Sequence, residues 1–501
     1  MKLEFKNKII ALFVVGGLVL SSCTDGFEEV NRDPNGPIAV PSGLLMPTLI
    51  EATSDRLFDT FHGGDMETWI QHWGKVQYND EERYAPRSGV INSVWNGFYA
   101  GGAELTDNTG GGGIVDAYEM ANLAVSEGND KHLGVALIFQ AYLFSLITEM
   151  YGPIPFTEAI QAKSGNTTPA YDDQETVLRG CVALLDSAVS ALAGSGAIDG
   201  ATDILYGGNT SSWMKFANSL KFRMLMRMSN KVDVAAQLQA IVSGGVHFTS
   251  NSDNAQLNYL GSNPNANPVY YDVVFSTRSE WKINETTVTL MGDLNDPRLA
   301  VYAQENDGGI IRGVPRGVLN PTLVGYDYVN TSALGEYFLD PSSPGVFMSY
   351  SELMFLVAEA AKKGLITGGD ATAQSAYEAG IVASFDTYNG YVNGDGSLVS
   401  LNAAAYLVSG GVSYSTASAL TQIATQNYIA LYGQGQEAYS EWRRTKLPAL
   451  LPAIDALNGL TSIPSRYLYP SDEQSLNTTN YNDAATMVGG DELDTKLWFM
   501  N

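Results

Sequence analysis

Residues 135–150 are the stretch that most limits what this chain can fold into. Val135, Leu137, Ile138, Phe139, Tyr142, Phe144, Leu146 and Ile147 cover nearly every face of a helix. A helix that is apolar all round has to lie inside a core or a membrane. Gln140 and Glu149 interrupt the run, and it is shorter than the roughly 20 residues a bilayer requires. The expectation is therefore a central core helix. Tyr151-Gly152-Pro153-Ile154-Pro155 should end it, since Gly and Pro punctuate helices there.

Amphipathic stretches flank this centre. Leu44, Leu45, Leu49 and Ile50 share one stripe. After Gly63-Gly64 a second helix is expected to carry Trp69, Ile70 and Trp73, with the two tryptophans at i,i+4 on one face. Residues 78–84 show no apolar period and read as a loop; Trp95, Phe98 and Tyr99 resume a helix. Residues 101–114 are glycine-rich without the Gly-Lys-Ser/Thr ending of a phosphate loop, so a flexible loop is expected. Helices follow at 176–192 (Leu178, Val182, Leu185, Val189) and 213–229 (Phe216, Leu220, Arg223, Met224). Residues 350–363 repeat apolar positions at Tyr350, Leu353, Met354, Val357, Ala358 and Ala361. Residues 373–388 and 420–431 also read as helical, and 390–418 as a Gly/Ser-rich insertion. Residues 464–501 read as a polar, turn-rich tail ending in Trp498 and Phe499. Residues 244–345 differ: rich in Asn, Gly, Pro and Tyr, they keep a helix pattern only near 285–294. The expected class is mainly α with one irregular insertion.

The N-terminus is an export signal. Lys2, Lys6 and Lys8 precede an apolar run of 12 residues, Ile9 to Leu20, and then Leu20-Ser21-Ser22-Cys23. That ending resembles a bacterial lipoprotein signal, which implies cleavage after Ser22 and acylation of Cys23 with palmitate-type chains. Residues 23–42 then form a lipidated tether. Loss of three lysines and one glutamate with residues 1–22 moves the net charge from −26 to −28. Such acidity opposes nucleic-acid binding through phosphates. Cys181, the one other cysteine, falls in a helical apolar pattern and reads as a small core residue.

Metal and catalytic chemistry find little footing. His62, His72, His132 and His247 form no i,i+4 pair, so zinc is not expected. Asn393-Gly394-Asp395-Gly396 lacks the full calcium-loop pattern. No Gly-x-Ser-x-Gly or His-Glu-x-x-His occurs, and neither metal nor cofactor is expected. Paired carboxylates of a glycosidase have no spacing that a sequence can show.

A series of blocks resembles the SusD/RagB family of nutrient-binding outer-membrane lipoproteins. They are Asn31-Arg32-Asp33-Pro34-Asn35; Tyr151-Gly152-Pro153-Ile154-Pro155-Phe156 with Glu158-Ala159; Pro169-Ala170-Tyr171-Asp172-Asp173; Trp213-Met214-Lys215-Phe216-Ala217-Asn218-Ser219-Leu220; Asp296-Pro297-Arg298; Tyr350 with Glu352, Ala358-Glu359-Ala360 and Gly364; and Glu437, Glu441-Trp442-Arg443-Arg444-Thr445. The resemblance implies a tetratricopeptide-like helix-pair scaffold, about 43–243 and 346–463, with an irregular ligand-facing subdomain at about 244–345, all within one domain, 43–501. It implies a cell-surface protein that binds a nutrient, an oligosaccharide or else a peptide, and delivers it to a SusC-like TonB-dependent transporter without cleaving it. A surface glycoside hydrolase and a non-transport adhesive lipoprotein are the alternatives.

In the blocks, Asn218 and Arg223 are expected to hydrogen-bond loop backbone, and the arginine forks of 443–444 to satisfy buried carboxylates. Ligand contacts should instead come from loops, pairing flat aromatics for sugar faces with polar groups for hydroxyls. Two regions carry that mixture: Trp73, Tyr78, Asn79, Asp80, Arg83 and Tyr84; and Asn267, Tyr270, Tyr271, Arg278 and Trp281. Trp69 and Trp73 also suit core packing, and Arg83 equally suits pairing with Glu81 or Glu82.

Overall fold

The apolar run around residue 140 sits in the protein interior. The structure is a computed structural model and describes residues 40–60, 63–101 and 111–500. Residues Ser42–Asn501 form one compact unit. The export signal, Cys23, most of the tether, His62 and most of the glycine-rich loop lie outside the described residues.

The main helices before the irregular stretch are α1 (Met46–Phe58), α2 (Gly64–Trp69), α3 (Ser88–Ala100), α4 (Ile114–Glu127), α5 (Asp130–Tyr151), α6 (Gln174–Leu192), α7 (Thr210–Met228) and α8 (Ala235–Gly244). Within it lies α9 (Glu285–Asp293). After it come α10 (Tyr350–Lys362), α11 (Gly369–Tyr388), α12 (Ala419–Ala430), α13 (Gly435–Thr445) and α14 (Thr478–Val488). The central helix α5 is capped by the Asn129 side chain, which accepts the His132 backbone N–H. It has 22 residues, enough to cross a membrane by length and composition, yet 89% of its most apolar window is buried inside the protein. Burial, not shortness, makes it a core helix.

Helix pairs build the scaffold. α4 turns into α5 through Gly128, whose positive φ of 67° closes the helix. α5 packs on α6, α6 on α7, α10 on α11, and α12 on α10. This is the stacked pairing of a tetratricopeptide-like scaffold, and the class is mainly α as the periodicity predicts.

Buried charges tie the pairs together. Arg223 on α7 meets Glu352 on α10 at 2.6 Å and donates to the Phe347 carbonyl at 2.9 Å. Arg227 reaches Glu437 and Glu441 at 2.6 and 2.5 Å and Glu149 of α5 at 3.1 Å. Arg444 meets Glu359 and Glu441 at 2.5 and 2.6 Å. Arg443 departs from the expectation. It is fully buried without a carboxylate, donating to the Glu149 and Ser465 carbonyls and lying 3.9 Å from the Tyr439 ring. Asn218 also departs: its amide donates to Met214 of its own helix turn, not to a loop.

The strands are short. β1 (Trp73–Lys75) pairs antiparallel with β3 (Trp281–Ile283), and β2 (Ala255–Leu257) with β4 (Gly345–Met348). The expected helix through Trp73 is thereby corrected. α2 stops at Trp69, Gln71 takes a positive φ of 62°, and Trp73 enters β1. The tail is corrected as well. Residues 471–476 and α14 are helical, Phe499 is fully buried, and the Tyr467 hydroxyl donates to Asp65 at 2.9 Å. Apolar and aromatic burial outweighs the polar composition there.

Candidate functional site

The β1–β3 pair places the two aromatic-polar regions side by side. Its register sets Trp73 opposite Ile283, Gly74 opposite Lys282 and Lys75 opposite Trp281. Val76 then donates to the Glu280 carbonyl at 3.1 Å. The loops that continue from the strands, 76–87 and 276–280, therefore form facing walls. Between them, with Tyr328 from a third loop, lies an open cleft of about 760 Å³.

Lys75, Gln77, Tyr78, Asp80, Glu81, Arg87, Thr277, Arg278, Glu280 and Tyr328 line it. Tyr78 is 65% exposed and adopts a positive φ of 55°. A tyrosine held left-handed and out in solvent is strained and costly. The Arg278 guanidinium stands 6.0 Å from its ring centre. The Tyr328 hydroxyl donates to Gln77 Oε1 at 2.7 Å, so the third loop is fastened to the first. Beneath, Glu82 accepts the backbone N–H groups of Lys75 and Gly317 at 3.0 and 2.9 Å. Burial pushes the Glu82 carboxyl up to about 7, against the pull of those N–H groups.

The predicted contact residues divide. Tyr78 and Asp80 face the cleft, with Arg278 from the second region. Trp73, Tyr84 and Trp281 are each 2% exposed and belong to the core. Trp73 and Trp281 meet edge to face at 5.9 Å. The Tyr84 hydroxyl accepts the Ala453 N–H at 2.6 Å, and burial raises its ionisation to about 12. Arg83 is buried and occupied by Asp80 and the Asp455 carbonyl, not by Glu81 or Glu82. Tyr270 and Tyr271 are half-buried on the segment before the cleft, Tyr271 stacked on Phe275 at 5.3 Å. Asn79 donates to Val318 and Asn267 to Ser343, both structural. Strand pairing turns Trp73 and Trp281 inward, while Tyr84 is held inside at the turn of residues 81–84 by its bond to Ala453.

Lys75, Gln77, Arg87, Thr277, Glu280 and Tyr328 also line the cleft and are not among the residues the sequence points to. Tyr328 lies in a Tyr-Asp-Tyr run inside the irregular stretch, a composition that could have flagged it; nothing local marks Arg87.

The chain matches the model of the SusD-like family, described as starch-binding and associating with the outer membrane, over residues 34–470. Among solved structures, a chitin-binding protein is 25% identical with a TM-score of 0.77, over 92% of this chain and 100% of that one. A SusD homolog from Bacteroides fragilis is 24% identical with a TM-score of 0.76, over 92% and 99%. A chitin-binding SusD homolog from Flavobacterium johnsoniae is 24% identical with a TM-score of 0.70, over 91% and 98%. No curated protein matches.

Proposed function

The chain belongs to the SusD-like family of outer-membrane-associated glycan-binding proteins, and from that membership we propose that it captures an oligosaccharide at the cell surface and hands it to a SusC-like TonB-dependent transporter. Cys23 anchors it by lipid, and residues 23–42 give reach above the membrane. One observation carries the glycan reading: the cleft of about 760 Å³ where Tyr78 and Tyr328 stand exposed among Gln77, Asp80, Thr277 and Arg278. Exposed rings offer sugar faces a stacking surface, and the amide, hydroxyl and guanidinium groups suit a rim of hydroxyls. Chitin binding by two of the solved homologs is in keeping with it.

The protein binds without cleaving. Of the cleft carboxylates, Glu81 is engaged by Arg87 and Lys75, Glu280 by Arg278, and Asp80 by Arg83. Each is taken up by a neighbouring cation, whereas a glycosidase needs a carboxyl placed to give its proton to the leaving oxygen.

The test is co-purification. Extracted from outer membranes in mild detergent, the protein is expected to bring down a TonB-dependent barrel in repeat preparations. Recovery of the lipoprotein alone, under conditions that keep other such complexes whole, would remove the importer reading.

A further inference from the structure

The charged groups of the cleft are layered. Glu81 and Glu280 have side chains only 7% and 4% exposed, while the guanidinium-bearing side chains paired to them, Arg87 and Arg278, are 53% and 37% exposed. Each acid is an inner anchor and each arginine the outer surface. The bonds are short: Arg87 Nε to Glu81 Oε1 is 2.5 Å, and Arg278 Nε to Glu280 Oε1 is 2.7 Å. A third cation, Lys75, lies on the floor, its ammonium 3.3 Å from Glu81 and 4.4 Å above the Trp281 ring. Glu82 is deeper still and is engaged by backbone N–H groups. Asp80 is the one outward acid of the cleft, and it leans on Arg83.

This arrangement stands out on a chain of net charge −26. The general field of such a protein repels polyanions. A neutral sugar is held well enough by amides, hydroxyls and aromatic faces and does not call for two arginines pushed outward by buried acids. Guanidinium forks fit the planar oxygen pairs of carboxylates and the oxygens of sulfate esters. Tyr78 and Tyr328, 65% and 39% exposed, flank them and supply the ring contacts.

We infer that the cleft takes an acidic oligosaccharide, with sugar units bearing carboxylate or sulfate groups that dock on Arg87 and Arg278. The inference rests on the glycan-binding reading and narrows it to an anionic class.

Calorimetry on the full chain in mild detergent tests it with four probes: tetragalacturonate, its methyl ester, a chondroitin sulfate tetrasaccharide and chitotetraose. The expected result is binding of tetragalacturonate or the sulfated probe, weakened by added salt, with the ester and chitotetraose much weaker. Preference between the two acidic probes separates carboxylate from sulfate. Arg278→Gln and Arg87→Gln should each cost about tenfold or more in affinity for the acidic probe. Arg179→Gln, in an exposed pair on α6, should change nothing. Arg278→Lys keeps a cation beside Glu280 and should fold as the parent while losing part of the affinity, so a folding defect in the glutamine variant is not mistaken for lost binding. If chitotetraose or the methyl ester binds as tightly as the acids, the anionic class is overturned and glycan binding stands. If a folded protein binds none of the four, both fall.

Discussion

Two aromatic residues, Trp281 in the core beneath the cleft and Tyr78 lining it, show how burial separates structural from functional side chains. Trp281 is 2% exposed, and its ring packs so closely on α2 that a methyl group on Gly64 would come within 2.5 Å of it. Tyr78 is 65% exposed, on a strained backbone. Trp281→Ala should therefore lower unfolding free energy by about 3–5 kcal/mol through the cavity it leaves. Tyr78→Ala should leave denaturant unfolding nearly unchanged while weakening oligosaccharide binding severalfold, by the loss of about 1 kcal/mol of ring stacking. Equal effects of the two substitutions on stability would contradict this division. The same contrast explains why Trp73 and Tyr84 lie inside while Tyr78 and Asp80 of the same stretch line the cleft. Polar loops and buried strand ends draw on the same Trp, Tyr and Arg, and only the direction of each side chain tells them apart.

Among the elements, the β1–β3 pair matters out of proportion to its length. Three residues on each side bring loops some 200 positions apart in the chain into one wall. Its middle residue is Gly74, where an added methyl group would meet Val314 Cγ1 at 2.5 Å and Glu82 Oε1 at 3.0 Å. Gly74→Ala should thus cost about 1–3 kcal/mol through overpacking. It should also loosen the cleft, because Glu82 ties Lys75 to Gly317. Thermal unfolding and oligosaccharide titration on the same preparation check both. Unchanged binding with lowered stability would mean that the loops hold their places without the strand pair. The helices needed no such pairing to be legible. Their apolar stripes repeat locally, and α5, α6, α7 and α10 lie close to where periodicity puts them.

For the whole molecule, buried acids set the response to pH. Burial raises Asp65 to about 6, Glu82 to about 7 and Asp272 to about 6, each against hydrogen bonds or cations that pull it down. The folded state holds protons that the unfolded chain releases near pH 4, so stability should rise as pH falls from about 7 toward about 4.5. His132 opposes this weakly: burial holds it below its ordinary value, so its contribution is lost as pH falls. Glu359 is buried but held low, to about 2, by Arg444 and Lys363, and its contribution is lost only in stronger acid. Thermal unfolding should therefore occur at a higher temperature at about pH 5.5 than at about pH 7.5; the reverse order would mean that these acids stay ionised when folded. The sequence by itself determined the helical class, the central helix and the family, because periodicity and motif order are local properties of the chain. It also named two of the three segments from which the cleft is built. Only the tertiary structure decided which of their residues face solvent, since strand register turns Trp73 and Trp281 inward while Tyr78, Arg87, Arg278 and Tyr328 converge on the cleft. Register and burial depend on partners distant in the chain, and no local pattern encodes them.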